Sequence, residues 1–375
     1  MRSTYDAIVV GLGAVGSAAA YHLAQRGQRV LGIDRYAPPH TYGSTHGGSR
    51  IIRRAYFEGP RYLSLLDRAY VLWRALEAAS GHTLLHLCGS LNIGAPESAI
   101  VAGAKHSAEV LGLVHEVLTP EEVRRRFPAY HLPEGQVAVW EAEAGLVNPE
   151  HCVQAHLEQA RSRGAQLCFE EPVLGWQADG GGVSVTTATA TYPAGRLVLC
   201  AGAWMKDLVA PLRPVLHIER QVNAWFRPKA RAHHFDPVRC PVYIWARDAR
   251  AVLYGFPDRG EGVKAGVHYE GILVDHPDAV QRTVSADDVE AVRMPLRRLL
   301  PDADGPLLHA ATCLYTNTPD KHYLIDRHPE YARVLFASAC SGHGFKASNA
   351  VGEALADLAV EQIPRVDLDA FRWRF

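Results

Sequence analysis

The sequence predicts a mixed fold, α/β in its outer parts and α+β overall: a Rossmann-like unit interrupted by an inserted antiparallel sheet. Three observations carry that expectation. The chain opens with an apolar run, a glycine triplet and a helical segment, "YDAIVVGLGAVGSAAAYHLAQRGQRVLGIDR". Strand-like stretches at 166–170, 183–187 and 196–204 follow a second helical segment at 151–165. Residues 216–226 and 241–270 then alternate and are rich in aromatics, the pattern of antiparallel strands rather than further β-α-β units. At 375 residues the chain exceeds one small core, so two domains are expected.

Composition narrows the class. Hydrophobic residues make up 48% and charged residues 21%, values of an ordinary globular protein. A formal net charge of -1 gives no electrostatic reason to bind nucleic acid or an anionic membrane. The cysteines, Cys88, Cys152, Cys168, Cys200, Cys240, Cys313 and Cys340, are odd in number and irregularly spaced, with no CxxC pair. That argues against a disulfide framework or a metal site, and for reduced thiols in a cytoplasm. No secretory leader is expected. Glycines break the apolar stretch from Ala7 to Ala24 too often for a membrane span.

Ala7 to Val10 reads as a buried parallel strand. Gly11, Gly13 and Gly16 then give G-x-G-x-x-G. Ala18 to Arg26 continue as helix until Gly27 closes it, and Arg29 to Ile33 make a second strand ending at Asp34. The glycines permit the tight turn, the approach of a pyrophosphate and close packing of helix on strand. The helix start supplies N–H groups and a positive dipole. Asp34 lies 18 residues after Gly16, where a carboxylate can accept hydrogen bonds from a ribose. A ligand-free glycine turn would leave Asp34 without a purpose. The segment predicts a dinucleotide site and leaves FAD and NAD both open.

Next comes "PPHTYGSTHGGSRIIRRAY". Pro38 and Pro39 stop regular structure, and the glycines from Gly43 onward can bring N–H groups close to a phosphate or a ring system. Arg50, Arg53 and Arg54 follow in helix-like spacing, with Arg50 and Arg53 on one face. Beside Ile51 and Ile52 these arginines are expected to be buried, where a guanidinium needs an anionic partner such as a substrate carboxylate. Farther on, Gly180, Gly181 and Gly182 mark a turn between strands. Lys264 and His268 fall on one face of a strand. "SGHGFKASNAVGEALADLAV" reads as a glycine-rich loop entering a helix, with Lys346 at its mouth. Cys313, in "ATCLYTNTPD", reads by itself as a small core residue.

Taken in order, the glycine triplet, Asp34, "PPH", the "GS-H-G-SRIIR" loop, "AGAW", "YGFP", Cys313 and "SGHGFK" resemble the monomeric sarcosine oxidase and N-methyltryptophan oxidase family, one branch of the glycine- and D-amino-acid-oxidase-like flavoproteins. The resemblance runs nearly end to end. It implies an FAD-binding domain made of 1–80, 146–214 and 309–375, and a substrate domain made of 81–145 and 215–308. It places the cofactor against Gly11, Gly13, Ala14, Val15, Gly16, Asp34, Arg35 and His40, and against Gly43, Ser44, His46, Arg50 and Ile51. Val173 would contact the adenine through its backbone, and Cys200, Ala201, Gly202 and Trp204 would lie beside the cofactor. Leu314, Tyr315, Gly342, His343, Gly344, Phe345 and Lys346 would surround the ring. Cys313 would carry the flavin through a thioether to its 8α-methyl carbon, with His46 and Arg50 beside the ring.

The same resemblance assigns the substrate carboxylate to Arg53 and Lys346, and oxygen activation to Lys264. Tyr254, His268, Tyr315 and Trp245 would line the pocket. Trp245 stands where sarcosine-oxidising members often carry a smaller residue, which puts substrate scope in doubt. Ser49 replaces a threonine, a change expected to be silent. The implied reaction is oxidative demethylation of sarcosine or a similar small N-methyl amino acid by a single-chain enzyme, giving formaldehyde, primary amino acid and hydrogen peroxide. Its rivals are a pipecolate, proline or N-methyltryptophan oxidase, a non-catalytic FAD-binding subunit, and an NAD-dependent dehydrogenase.

Overall fold

The computed structural model describes residues 5–248 and 251–375. Tyr5–Val10 lies inside an eight-stranded sheet, between Val30–Ile33 and Thr191–Leu199, parallel to both. Both faces of this strand are covered, which is why it reads as an unbroken apolar run. Ala7 and Val9 enter one core and Ile8 and Val10 another, as strand alternation requires. Helices Ala14–Gln25, Leu63–Ser80, Pro149–Ser162 and Ser348–Ala359 pack together over the first core. Gly352 lets two of them approach closely: a Cβ there would meet the Cβ of Ala18 at 2.5 Å.

The first helix begins at Ala14, four residues before its expected start. Gly13 is already its N-cap, so Gly16 lies within the opening turn. Gly27, at φ +75°, closes the helix as expected. The turn Gly180–Gly182 joins the antiparallel strands Val173–Ala178 and Val183–Thr187.

A nine-stranded sheet forms the second layer. All its pairings are antiparallel except that of Val242–Ala246 with Ser90–Gly94. Leu307–Asn317 pairs with His217–Phe226 along its whole length, so the division expected at 308/309 falls inside a strand of this sheet. Cys313 therefore rides on the second layer.

The arginine segment departs from expectation. Arg50–Ile52 is a short strand, pairing with Gly145–Val147 in a three-stranded sheet, and no helix face unites Arg50 with Arg53. The two β-branched isoleucines favour extended backbone. Arg54 turns outward to Glu143 and Asp67. Among the described residues, no helix is long and apolar enough to cross a membrane, and no group of His, Cys, Asp and Glu could hold a metal ion.

Candidate functional site

One cavity of about 450 Å³ runs from the glycine turn to the inner face of the nine-stranded sheet. At its first end Gly11 has φ +86°, and a Cβ there would meet the carbonyl oxygen of Cys200 at 2.5 Å. A Cβ on Gly16 would lie 1.7 Å from the oxygen of Gly11, so its role is packing of helix on turn. Around Gly13 the space is open apart from the Thr45 hydroxyl at 3.7 Å. Asp34 accepts from Leu12 N at 2.7 Å and Tyr36 N at 2.9 Å. Burial raises its pKa while those N–H groups pull the other way. A carboxylate fixed by two N–H groups retains lone pairs for further donors.

Three buried hydroxyls on the cavity wall, those of Thr316, Ser338 and Ser348, have no partner among the described residues. Buried polar groups are rarely left so. With the cleared glycine turn, they fit a long polar ligand of the dinucleotide kind.

At the other end, two cations meet over one ring. Arg53 is 1% exposed, and its Nη2 donates to both oxygens of Glu58 at 3.0 Å. Lys346 Nζ donates to His343 O at 2.6 Å and to the Tyr56 hydroxyl at 3.3 Å. Both cations lie over the Tyr56 ring, the guanidinium at 4.5 Å and the ammonium at 4.9 Å. Burial lowers the Lys346 pKa to about 7, against the pull of Glu58. Burial would raise the Glu58 carboxyl, but Arg53, His343 and Lys346 together hold it below its ordinary value.

The pocket wall beside this pair is aromatic and uncharged. His268 Nδ1 and the Tyr315 hydroxyl are 2.9 Å apart, and Tyr254 donates to Asn223 at 2.9 Å. Burial drops the His268 pKa to about 3, so its imidazole is neutral. Gly342, at φ +76°, packs so tightly that a Cβ would lie 2.6 Å from Tyr315 and 2.7 Å from His268. Cys313 Sγ lies 3.6 Å from Arg50 Nη2 and 3.8 Å from Ser44 O.

All the residues expected at the site line this cavity except Gly16, His46, Lys264 and Trp245. Trp245 is a correction. It is fully buried in the opposite core, with its Nε1–H on Gln136 at 2.8 Å. Counting back from "YGFP" misjudges the hairpin by one residue: Ile244 pairs with Tyr254, and Ile244 is on the wall. A one-residue slip exchanges the two faces of a strand. His46 lies behind the wall, where burial, Arg50 and Lys264 push its pKa down to about 3. Lys264 lies behind Phe256, 4.6 Å over that ring, and donates to Gly47 O and Ser49 O at 2.8 and 2.9 Å.

Tyr56 and Glu58 escaped the sequence reading because no periodicity links them to Arg53 across an irregular loop. Ile244 was recoverable from hairpin pairing alone.

A family profile described as FAD dependent oxidoreductase matches residues 6–358. A monomeric sarcosine oxidase of Streptomyces avermitilis is 46% identical over 365 residues, covering 96% of this chain and 94% of the relative. An N-methyl-L-tryptophan oxidase of Yersinia pestis is 36% identical over 373 residues, covering 98% of each. Among solved structures, NikD, an unusual amino acid oxidase essential for nikkomycin biosynthesis, superposes with a TM-score of 0.85 at 27% identity, over 98% of this chain and 97% of that one.

Proposed function

The chain belongs to the FAD-dependent oxidoreductase family, and from that premise we propose that it is an oxidase of sarcosine or a similar small N-methyl amino acid. The observation that carries this reading is the buried trio Arg53, Glu58 and Lys346 at the end of the cavity. Two cations share one carboxylate, which leaves a net positive charge for one more when Lys346 is protonated. A substrate carboxylate competes with Glu58 for Arg53 and accepts from Lys346, each charge-assisted bond contributing about 1.5–3 kcal/mol.

Held against the glycine turn, Asp34 and the Gly342–Gly344 loop, FAD would supply a two-electron acceptor for the substrate and a two-electron donor for oxygen. The residues around it set the conditions. A neutral His268 and a wall of Tyr254, Tyr315 and Ile244 make a dry pocket, which favours the unprotonated amine. Glu58, the carboxylate of the trio, is engaged by Arg53 through both oxygens, so it is not offered as a free base. Loss of hydride from the N-methyl carbon leaves an imine that water cleaves to formaldehyde and the primary amino acid. Lys264 supplies the positive charge that favours electron transfer to oxygen, and Cys313 carries the cofactor by a thioether. A single chain contains every group this reading uses.

Peroxide release across a panel of N-methyl and cyclic amino acids tests it. Sarcosine should lead the panel; no peroxide from any secondary amino acid would sink the reading.

A further inference from the structure

Gly47 and Gly48 both adopt left-handed backbone, at φ +94° and +74°. Successive N–H groups in such a turn converge into a small concavity that accepts an anion. Glu150 fills it. Its Oε1 accepts from Gly47 N at 2.6 Å and Gly48 N at 3.1 Å, and its Oε2 from Gly48 N at 3.2 Å. The carbonyls of the same turn accept from Lys264, with the Ser49 hydroxyl at 3.2 Å as a third contact. Arg50 Nη1 shares the Ser49 carbonyl at 2.8 Å. A single turn of backbone thus lies between one carboxylate, from helix Pro149–Ser162, and two cations.

Burial first, and then the neighbouring Arg50 guanidinium, disfavour the charged form of Lys264, which has the easier proton of the two cations to lose. The charged or titratable groups facing Lys264 are Arg50, His46, Cys313, Glu150 and Glu261. The rings of Phe256 and Trp225 cover the rest. Two of those groups are carboxylates. Glu261 is exposed and open to screening, whereas Glu150 is half-buried and fixed by three N–H contacts.

We propose that Glu150 is a positioning residue for Lys264: it holds the Gly47–Ser49 turn from behind and supplies the anion that keeps the ammonium charged. This rests on the reading that Lys264 assists the oxygen half-reaction. There oxygen takes two electrons from the reduced cofactor and two protons, and leaves as hydrogen peroxide. The first electron puts negative charge on oxygen, which a fixed cation stabilises and a neutral amine does not.

Glu150→Gln keeps an acceptor for the turn and removes the charge. The chain has six lysines, Lys105, Lys206, Lys229, Lys264, Lys321 and Lys346, few enough to resolve by carbon-13 NMR of lysine labelled at Cε. Lys264→Met identifies the Lys264 signal. In holoenzyme carrying Glu150→Gln, the Lys264 midpoint should fall by about one pH unit, since loss of a nearby anion disfavours the charged form. Flavin reoxidation at a pH midway between the two midpoints should slow about threefold, with flavin reduction by substrate unchanged. The slowing should vanish in the Lys264→Met background.

An unmoved Lys264 midpoint overturns the proposal, as does a reoxidation defect that persists in full without Lys264. A variant that no longer holds flavin also counts against it, since Glu150 would then be structural. Should Lys264→Met alone leave reoxidation unchanged, the underlying reading of Lys264 fails instead.

Discussion

Arg50 Nη2 lies 3.6 Å from the sulfur of Cys313, and the same nitrogen donates to Ser44 O at 2.8 Å. The guanidinium is thereby fixed beside the sulfur by the loop and by its own strand. A cation so placed can stabilise negative charge that develops as the sulfur bonds to carbon. Acid-precipitated wild type should keep its yellow colour, and Cys313→Ala should release FAD into the supernatant. Absorbance of pellet and supernatant checks this. Arg50→Met should leave a larger released fraction than wild type.

The Arg53–Glu58 pair gives the second expectation. Arg53→Ala should weaken a carboxylate inhibitor about 10- to 100-fold, the equivalent of one charge-assisted bond. Glu58→Gln should strengthen the same inhibitor, because its competitor for Arg53 loses its charge. Titration of the flavin spectrum with inhibitor reads both. Opposite signs for the two variants are the distinguishing result.

Lys346 adds a pH dependence. Its pKa near 7 means the ammonium is present below neutrality and lost above it. Inhibitor affinity should therefore fall as pH rises through about 7. Lys346→Arg should carry the affinity to higher pH, because a guanidinium stays protonated. A flat profile for wild type between pH 6 and 8 would contradict the assignment.

Ile244 and Trp245 should behave oppositely although they are neighbours. Ile244→Ala enlarges the cavity and should shift preference toward bulkier N-methyl amino acids in a comparison of kcat/KM values. Trp245→Ala should cost about 3–5 kcal/mol of stability, as large core truncations do, with selectivity unchanged. Denaturant melts and the substrate panel separate the two effects.

These contrasts mark where the sequence was legible. The glycine turn, Asp34 and the C-terminal glycine loop lie within continuous motifs, and each could be located by local backbone requirements. Lys264 and Arg53 were flagged by the cost of burying charge, and both are buried. What escaped depends on tertiary register. Arg50 to Arg54 read as helix because spacing alone cannot reveal the strand Gly145–Val147 that pairs with Arg50–Ile52. Trp245 and Ile244 exchange faces on a single residue of hairpin register. Glu58 lies on an irregular loop, and Glu150 on its helix meets a turn distant in sequence; a lone acid carries no periodic signal.

Cys313 belongs to the strand Leu307–Asn317 of one sheet, while Gly11 and Asp34 at the far end of the cavity directly follow the strands Tyr5–Val10 and Val30–Ile33 of the other. A thioether at Cys313 would turn the cofactor into a strut between the two layers. A freely exchanging ligand stabilises by mass action, so melting of Cys313→Ala should rise with added FAD. The tethered enzyme carries its ligand at fixed stoichiometry, and its melting temperature should ignore free FAD altogether. One sulfur atom would decide whether this fold's heat resistance depends on the cell's flavin supply.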